Sequence, residues 1–397
     1  YDLLDRESST ILVALEAAHT LDKGAALMRT IYAYIPYQLA RSMYNQAEMH
    51  LRRAYAAADR KGDTYGKAGA LLYLGEIAQK QSNYELATSN LQQGLILARQ
   101  VGEKERITAL LADLGWVTWK RGKYAEAEHY LQEGLALARK INDKEHISDI
   151  LETLGSVAGS RGEYSKSTKY VEEALEMARG IEDNEKICTL LINLGVTEGE
   201  RGKYIEAEQY FQEGLQIAHQ LGHREWMSLL LSNLGEAESE LGNYVQADTY
   251  FQDGLRVARE IDHREWISIL LNSLGQTSRK QGYHEQAAAY LQESLLIARQ
   301  INRPQILSET LDAYGNLCLD RGQKKSADEI YKEMLDVVPE GSQDLIAMAQ
   351  YGLARAIAAQ GRIEEAQYFG GASLTILESM GHRAAKDVRQ WLYFITD

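Results

Sequence analysis

Residues 193–235 read NLGVTEGERGKYIEAEQYFQEGLQIAHQLGHREWMSLLLSNLG, and the stretch begins and ends on the same three letters, Asn-Leu-Gly. It is one full repeat followed by the start of the next. We use the term phase glycines for the glycines that recur every 40 residues at this place, at positions 75, 115, 155, 195, 235, 275 and 315. A fixed period of this length indicates an array of small structural units that stack side by side.

The composition is that of a folded protein, with 45% hydrophobic and 25% charged residues. The formal net charge of −14 argues against nucleic acid as a partner, because its phosphates would be repelled. The sequence contains no run of 18 apolar residues, so we predict no membrane span. It also shows no basic segment followed by an apolar one at its start, so secretion is not indicated. The two cysteines, Cys188 and Cys318, lie far apart and are expected to be buried in helices of a cytoplasmic protein.

Each unit is expected to contain two helices. Residues 104–120 and 125–140 both place apolar residues at steps of three and four, and Gly122 supplies a tight turn between them. Two helices of about four turns cannot bury their apolar faces alone, so neighbouring units must stack. Within the second helices, glycine replaces better helix formers where we expect close contact between neighbouring helices, at positions 94, 134, 214 and 254. Tyrosine recurs at two further places where we expect it to fill the interior, at 44, 84, 124, 164, 204 and 244 and at 130, 170, 210, 250 and 290.

The two ends of the chain depart from the period, as capping units of an array do. We predict an N-terminal capping helix in 1–21, an array with a 40-residue period in 22–341, and a C-terminal irregular repeat with a capping helix in 342–397. Predicted helices in the last segment cover 345–360, 363–380 and 383–395.

The repeated side chains resemble the tetratricopeptide repeat. Leu114-Gly115 in the first helix, Gly122-x-Tyr124 at the turn and Ala127 in the second helix match its pattern, and the same residue types follow two and three repeats later, at 194–207 and 234–247. The resemblance implies an all-α fold, an α-α superhelix that forms a right-handed solenoid of about nine helical hairpins with capping helices. The 40-residue length, instead of the usual 34, is similar to the kinesin light chain and Leu-Gly-Asn scaffolds.

The ends resemble the signal-transduction ATPases of the STAND class, the bacterial NB-ARC and MalT-like regulators. Residues 4–18 look like the junction that precedes the repeats in these proteins, and residues 372–391, with Gly381-His382-Arg383 and Trp391, look like their C-terminal ends. The resemblance implies the ligand-sensing arm of such an ATPase, in the bacterial cytoplasm. It also implies an ATP- or ADP-binding domain upstream of Tyr1, which agrees with the lack of an initial methionine, and no cofactor in this chain. The alternative is a free-standing scaffold that holds an extended peptide in its concave groove, similar to the kinesin light chain.

Residue patterns for catalysis or metal binding are missing from the sequence. It contains no Gly-x-x-x-x-Gly-Lys-Ser/Thr phosphate loop and no Gly-x-Ser-x-Gly elbow. His219 and His223 are four residues apart, but Gly222 and a repeat boundary lie between them. We therefore expect no enzyme, no catalytic residues and no metal.

Four tryptophans are candidates for a partner-binding site. Trp116 and Trp119 lie three residues apart on one first helix, where other repeats carry smaller residues, and large aromatic residues are frequent in binding hot spots. Local packing between repeats would explain the same pair. Trp226 and Trp266 follow twin His-Arg-Glu motifs in adjacent repeats, and they mark either a partner surface or the cover of the seam between repeats.

Asparagines and glutamates give the remaining candidates. Asn193 and Asn233 share one place in the repeat, and Asn272 lies one position earlier in the next. The resemblance to the kinesin light chain and Leu-Gly-Asn scaffolds implies a ladder that holds a peptide backbone, since an amide offers a donor and an acceptor. Hydrogen bonding between helices is the other interpretation.

Three glutamates make the middle of the predicted groove acidic, between flanking basic repeats: Glu200, Glu236 and Glu240. The sequence therefore predicts a protein or peptide partner with a basic centre, bound in the concave groove, and neither nucleic acid nor membrane as a partner. The pattern does not explain Glu198 and Glu238, which stand where the family often buries an aromatic residue.

Overall fold

The computed structural model describes residues 2–21, 23–339, 341–380, 382 and 384–396, without the side chains of Asp2 and Thr396. All regular secondary structure in these residues is α-helical, which confirms the predicted fold class. The chain forms two compact units that divide between Arg201 and Gly202, and each is described by itself.

Unit 1 comprises the described residues up to Arg201. Its helices, in chain order, are α1 (Asp2–Thr20), α2 (Gly24–Ala40), α3 (Tyr44–Arg60), α4 (Thr64–Lys80), α5 (Tyr84–Val101), α6 (Lys104–Lys120), α7 (Tyr124–Ile141), α8 (Lys144–Ser160), α9 (Tyr164–Arg179) and α10 (Asn184–Glu200).

Unit 2 comprises the described residues from Gly202 onwards. Its helices are α11 (Tyr204–Leu221), α12 (Arg224–Glu240), α13 (Tyr244–Glu260), α14 (Arg264–Lys280), α15 (His284–Ile301), α16 (Pro304–Asp320), α17 (Lys324–Val337), α18 (Gln343–Ala359), α19 (Ile363–Ser379) and α20 (Ala385–Thr396). The even-numbered helices from α2 to α18 are the first helices of the repeats, and the odd-numbered helices from α3 to α19 are the second helices.

The observed helix bounds agree with the predicted ones to within one or two residues, which is the usual uncertainty of helix ends. In unit 1 the described helices form four pairs, from α2–α3 to α8–α9, followed by α10. In unit 2, α11 precedes four pairs, from α12–α13 to α18–α19, and α1 and α20 lie outside the pairs. The closing helix begins at Ala385 rather than at residue 383, and Gly381 and Arg383 lie outside the described residues. The division into three sequence segments stays a prediction.

Turns with left-handed backbone conformation end the first helices. Gly122 has φ +74°, a conformation that glycine adopts without a steric cost. Aspartates cap the start of several first helices: the side chains of Asp63, Asp143 and Asp183 each accept a hydrogen bond from the backbone N–H three residues on. Turn and cap together fix where each hairpin begins and bends.

The phase glycines allow the two helices of a hairpin to touch. A Cβ placed on Gly115 would lie 2.4 Å from Leu131, which is completely buried on α7. The same close approach recurs between each of five other phase glycines and the residue 16 positions later, at 75 and 91, 155 and 171, 235 and 251, 275 and 291, and 315 and 331. The recurring glycine is therefore required by packing within the hairpin.

The glycines of the second helices serve contacts between repeats. A Cβ on Gly94 would lie 3.0 Å from Leu110 of the following repeat and 3.3 Å from Leu71 of its own. Gly134 and Gly254 have similar surroundings, with nearest distances of 3.2 Å and 3.1 Å. These contacts confirm, at three of the four positions, the predicted close contact between neighbouring helices.

The recurring tyrosines correct one expectation, because they lie at the edge of the core rather than in its interior. Tyr84 and Tyr130 are half-buried and pack against a cluster of leucines and alanines that includes Leu91 and Leu114. Each ring packs at the edge of the core and keeps part of its surface exposed, as suits an amphipathic side chain.

A membrane-spanning segment is not found among the helices of the described residues, since none of them combines the length and the apolar character that one requires.

Replacing Gly115 with alanine should lower the free energy of unfolding by roughly 2–4 kcal/mol, because the new methyl group must displace buried Leu131. Gly199, near the end of α10, is the matched control, since a Cβ there meets no atom within 4 Å. Gly199→Ala should raise stability by about 0.5–1 kcal/mol through helix propensity alone. Urea unfolding followed by circular dichroism measures both. Equal effects of the two changes would contradict the role assigned to the phase glycines.

Candidate functional site

A cleft of 430 Å³ lies on the face that the first helices of unit 1 present together. We name it the unit 1 cleft. Side chains of α4, α6 and α8 line it, together with one residue of α10, and those that carry charge or aromatic surface include Glu76, Asp113, Trp116, Asp149, Glu152 and Lys186. Each repeat contributes one wall because equivalent positions of stacked first helices face the same side.

Two of the four carboxylates in the unit 1 cleft are neutralised within the protein. Lys186 forms salt bridges with Asp149 and Glu152. Burial lowers the pKa of Lys186, but the charges of Glu152 and Asp149 outweigh this and raise it overall. Asn193 donates from Nδ2 to Glu152 Oε1 at 3.0 Å. Asn193 therefore makes a hydrogen bond between helices, one of the two interpretations that its position allowed.

The other two carboxylates, Glu76 and Asp113, have no ion-pair partner among the described residues. Burial raises the pKa of Glu76 to about 7, although the charge of Lys80 opposes this shift. Burial also raises the pKa of Asp113 to about 8, and repulsion by Glu76 adds to it. The Gln79 amide lies near enough to lower the pKa of Asp113, although its Nε2 makes no hydrogen bond of normal geometry. The cleft thus holds two acidic groups without an ion-pair partner, which Lys80 and Gln79 compensate only in part.

Trp116 has two roles in the structure, while Trp119 has one. Trp116 lines the unit 1 cleft and also packs against the core, with an edge-on contact to Tyr84 at 6.2 Å between ring centres. Trp119 donates from its indole N–H to Ser160 Oγ at 2.9 Å, and Lys120 Nζ lies 4.2 Å from its ring centre. Both indoles are half-buried. Trp116 can contact a ligand in the cleft, and Trp119 braces the neighbouring helix.

Asn233 and Asn272 differ from Asn193 because their amides lack partners. Asn233 Nδ2 and Asn272 Oδ1 are buried, and neither makes a hydrogen bond. The side chain of Asn272 is only 8% exposed. Buried polar atoms without partners are rare in folded proteins, so these two amides distinguish the wall of first helices in unit 2.

The predicted acidic patch divides between the units. Glu200 is exposed in unit 1 and raises the pKa of the nearby Tyr164 hydroxyl. In unit 2, Glu240 lies 3.9 Å from Lys280 Nζ, which compensates part of its charge. Glu236 has no ion-pair partner among the described residues. Burial among the first helices raises the pKa of Glu236 to about 7, and repulsion by Glu309 and Glu240 adds to this shift. The side chain nevertheless keeps part of its surface exposed to solvent.

Trp226 and Trp266 are half-buried rather than exposed. Each follows a histidine that caps its helix, since Nδ1 of His223 and of His263 accepts from the tryptophan backbone N–H at 3.3 Å. The His223 ring stacks on Trp226 at 4.0 Å, and Trp266 packs against the hydrophobic core of unit 2. The twin motif thus starts α12 and α14, and covering the seam between repeats accounts for the position of Trp266.

The two glutamates that the sequence left unexplained are buried with polar partners. Glu198 is 3% exposed and accepts from Thr168 Oγ1 at 2.7 Å and from Arg201 at 2.7 Å. Glu238 is 7% exposed and accepts from Asn243 Nδ2 at 2.7 Å. In both repeats a residue of the turn that follows the helix, Arg201 or Asn243, donates one of these hydrogen bonds.

Sequence reasoning missed most of the unit 1 cleft. Glu76, Asp113, Asp149, Glu152 and Lys186 were not singled out, although a signal was present. Asp113 stands two residues before its phase glycine, the place that Asn193 and Asn233 occupy in later repeats. A comparison of that place in every repeat would have found it. Among the described residues, no group of three or more His, Cys, Asp or Glu side chains is arranged to hold a metal ion.

The model of the tetratricopeptide repeat family matches the sequence at residues 66–140, 108–180, 146–220, 186–260 and 226–300. Together these matches span 66–300, which is more than half of the chain. The chain belongs to the tetratricopeptide repeat family. Proteins of this family are generally scaffolds without catalytic activity, and a binding role for this tetratricopeptide repeat solenoid follows from its membership. Comparison with curated proteins gives no significant match.

Several solved structures share this fold. The apo form of RapI has a TM-score of 0.67 at 13% identity, with 90% of this chain and 98% of that chain covered. The apo form of the quorum sensor NprR from B. thuringiensis has a TM-score of 0.65 at 14% identity, covering 89% and 98%. A STAND protein with a tetratricopeptide repeat sensor from Pyrococcus horikoshii has a TM-score of 0.64 at 16% identity, covering 94% of this chain but 55% of that protein. At these identities the likeness concerns the fold alone.

Replacing Asp113 with asparagine should stabilise the protein, and more so as the pH rises. An unfolded aspartate ionises near pH 3.8, whereas Asp113 ionises near 8 when folded. Between these values the folded state binds more protons, so the wild type loses stability as the pH increases. The variant, which does not titrate, should gain roughly 1–3 kcal/mol over the wild type at pH 8 and little at pH 4.

Asp149→Asn is the matched control, because it removes a salt-bridge partner of Lys186 and should lower stability at neutral pH. Urea unfolding at pH 4, 6 and 8 measures both changes. A gain for Asp113→Asn that is independent of pH would contradict the burial of an ionisable group at this position.

Proposed function

We propose that the first helices bind an extended protein or peptide segment in their concave groove, and that the chain is the ligand-sensing arm of a STAND-type ATPase in the bacterial cytoplasm. The observation that carries the binding proposal is the unit 1 cleft, where Glu76 and Asp113 lie without ion-pair partners beside the indole of Trp116.

The energetics of the cleft support this proposal. Carboxyl groups with strongly raised pKa values reduce the stability of the free protein, and such groups concentrate at functional sites. A ligand that donates hydrogen bonds to Glu76 and Asp113 compensates them, and the exposed part of Trp116 offers apolar surface. The cleft therefore gains more from a ligand than an ordinary patch of helix surface would.

The asparagines support an extended ligand. Asn233 and Asn272 hold buried amide atoms without partners, and an amide matches the donor and acceptor of a peptide unit. A basic centre in a segment bound by unit 2 accords with Glu236 and Glu240, two acidic residues of one first helix, α12. In unit 1, Glu200 is an exposed acidic residue of the first helix α10. No nucleic acid is among the proposed partners, because the net charge of −14 opposes it.

The sensor role has two supports. The sequence ends resemble STAND regulators, and one structural neighbour is a STAND protein whose sensor is made of tetratricopeptide repeats. A ligand that binds one arrangement of the repeats more tightly than another shifts the population towards it, and an attached domain can respond to that shift. In this proposal ATP or ADP binds to a domain upstream of Tyr1 and not to these repeats.

A free-standing peptide scaffold similar to the kinesin light chain is the second candidate function. The observation that favours it is the pair of unpartnered asparagine amides in unit 2, since holding a backbone needs no attached switch. The two functions share the groove and differ only in what the bound segment controls.

Trp116→Ala should weaken binding of peptides to the chain at least tenfold. Twelve-residue peptides selected from a display library against the wild type serve as ligands, and fluorescence anisotropy gives the dissociation constants. Tyr368→Ala is the control, because this aromatic residue is 73% exposed on the second helix α19. It should change affinity less than twofold. Equal losses in both variants, or no loss for Trp116→Ala, would remove the unit 1 cleft from the proposal.

The STAND assignment predicts a phosphate-binding loop in the coding sequence that precedes Tyr1. The protein that includes this region should hydrolyse ATP faster when a selected peptide is present, because ligand binding releases the attached domain. Steady-state phosphate release measures the change, with Trp116→Ala as the variant that should lose the response. An upstream sequence without such a loop would favour the scaffold instead.

A further inference from the structure

We infer that unit 2 contains a binding site for the guanidinium group of an arginine in the bound peptide, formed by Glu236, Asn272 and Glu309. This inference rests on the proposed peptide-binding function and assigns one side chain of the ligand. The three residues belong to consecutive first helices, α12, α14 and α16. Neighbouring members of this set are packed together, since α14 contacts both α12 and α16.

The repeat places these three side chains on one surface. Asn272 lies three residues before its phase glycine, as do Ala112 and Glu152, which both line the unit 1 cleft. Glu236 directly follows its phase glycine, the place that Glu76 and Trp116 occupy in that cleft.

Glu309 precedes its phase glycine by six residues, as Asp149 does in the lining of the unit 1 cleft. Position by position, the three residues are therefore the equivalents in unit 2 of residues that line the unit 1 cleft.

Asn272 supplies an observation that is independent of charge. Only 8% of the Asn272 surface is exposed. Its Oδ1 receives no hydrogen bond from the described residues. A buried acceptor without a donor is unfavourable, so a ligand N–H that reaches it gains the full benefit of a hydrogen bond. Neither wall helix next to α14 provides that donor.

The cations that unit 2 places near this wall have other partners. Arg279 donates to Asp320 at 2.6 Å, Lys280 to Ser239 at 3.3 Å, and Arg355 to Asn316 at 2.7 Å. Glu236 and Glu309 have no ion-pair partner among the described residues, and Glu309 receives one hydrogen bond, from Gln305 of the same helix at 3.0 Å. The mutual repulsion of the two carboxylates across α14 contributes to the raised pKa of Glu236.

The chemistry of the three groups selects the ligand. Two carboxylates and an amide oxygen all accept hydrogen bonds, and they lie on three consecutive first helices. A single ligand group that satisfies all three must therefore donate hydrogen bonds in several directions and carry a positive charge. A guanidinium has five N–H donors in a planar fork and remains charged at every physiological pH. An ammonium has three donors and is more strongly hydrated, which makes it the weaker fit for a partly buried acceptor.

The test uses the full chain and the display-selected peptides. We expect arginine to be enriched at one position, and replacing it with citrulline, which keeps the shape without the charge, to weaken binding to the wild type at least tenfold. In the double variant Glu236→Gln/Glu309→Gln the same replacement should cost less than threefold. Glu285→Gln on α15, an exposed partner of Arg321, is the control and should keep the wild-type response.

A second variant separates binding from structure. Asn272→Leu replaces the buried amide with an apolar side chain of similar size, so it should keep or raise the unfolding midpoint while weakening the arginine peptide about fivefold or more. A merely structural role of Asn272 predicts the reverse, with a lower midpoint and unchanged affinity.

The outcomes distinguish this inference from the proposed function. If citrulline replacement weakens the affinity of the selected peptides equally for the wild type and the double variant, the guanidinium site is overturned. The proposed binding groove is not affected by that result, because the peptides still bind. Lysine peptides that bind as tightly as arginine peptides overturn the assignment to a guanidinium. Free arginine amide that binds as tightly as the peptides overturns a peptide ligand. The absence of any peptide that binds removes the proposed function, and this inference with it.

Discussion

The close approach of two helices at each phase glycine determines the rest of the structure. At Gly115 the backbone of the first helix lies against Leu131, and no side chain fits between them. Because the contact lies within one hairpin, each repeat forms its own wedge, and other positions of its first helix line a wall that the first helices of a unit share. The apolar positions around the phase glycine are therefore occupied by packing, whereas the residues on this shared wall differ from repeat to repeat.

The proposed binding function rests on how this shared wall varies along the chain. In unit 1 the variable positions hold Glu76, Asp113 and Trp116, and in unit 2 the corresponding surface holds Glu236 and Asn272. None of these five side chains is needed to close a hairpin. Three of them are carboxyl groups whose pKa burial raises, so they reduce stability at neutral pH. Groups of this kind are frequent at functional sites, which is why the binding proposal is placed on this wall.

The sequence predicted the fold closely because the fold depends on contacts within one period. The helix bounds and the tight turns follow from residues that lie at most 20 positions apart, such as Gly122 and Leu131 around one bend. The candidate site was predicted only in part. Asn193 and Asn233 look alike in sequence, yet Asn193 is bonded to Glu152, 41 residues away, and the Asn233 Nδ2 has no partner. The hydrogen-bond partner of a polar side chain such as Asn193 belongs to the neighbouring repeat, so it cannot be predicted from the pattern within one period.

The two walls differ in how their charge is balanced, and this difference has a physical consequence. In unit 1, Lys186 neutralises Asp149 and Glu152 and leaves Glu76 and Asp113 uncompensated. Unit 2 has no lysine in that place, because Trp226 and Trp266 stand at the position of Lys186 in their repeats. Because tryptophan stands at this place in both repeats, the wall of unit 2 lacks the cation that Lys186 provides in unit 1. A positively charged group of the proposed ligand would therefore compete with no such lysine for the carboxylates of unit 2. In unit 1, by contrast, Lys186 already neutralises two of the four carboxylates of the cleft.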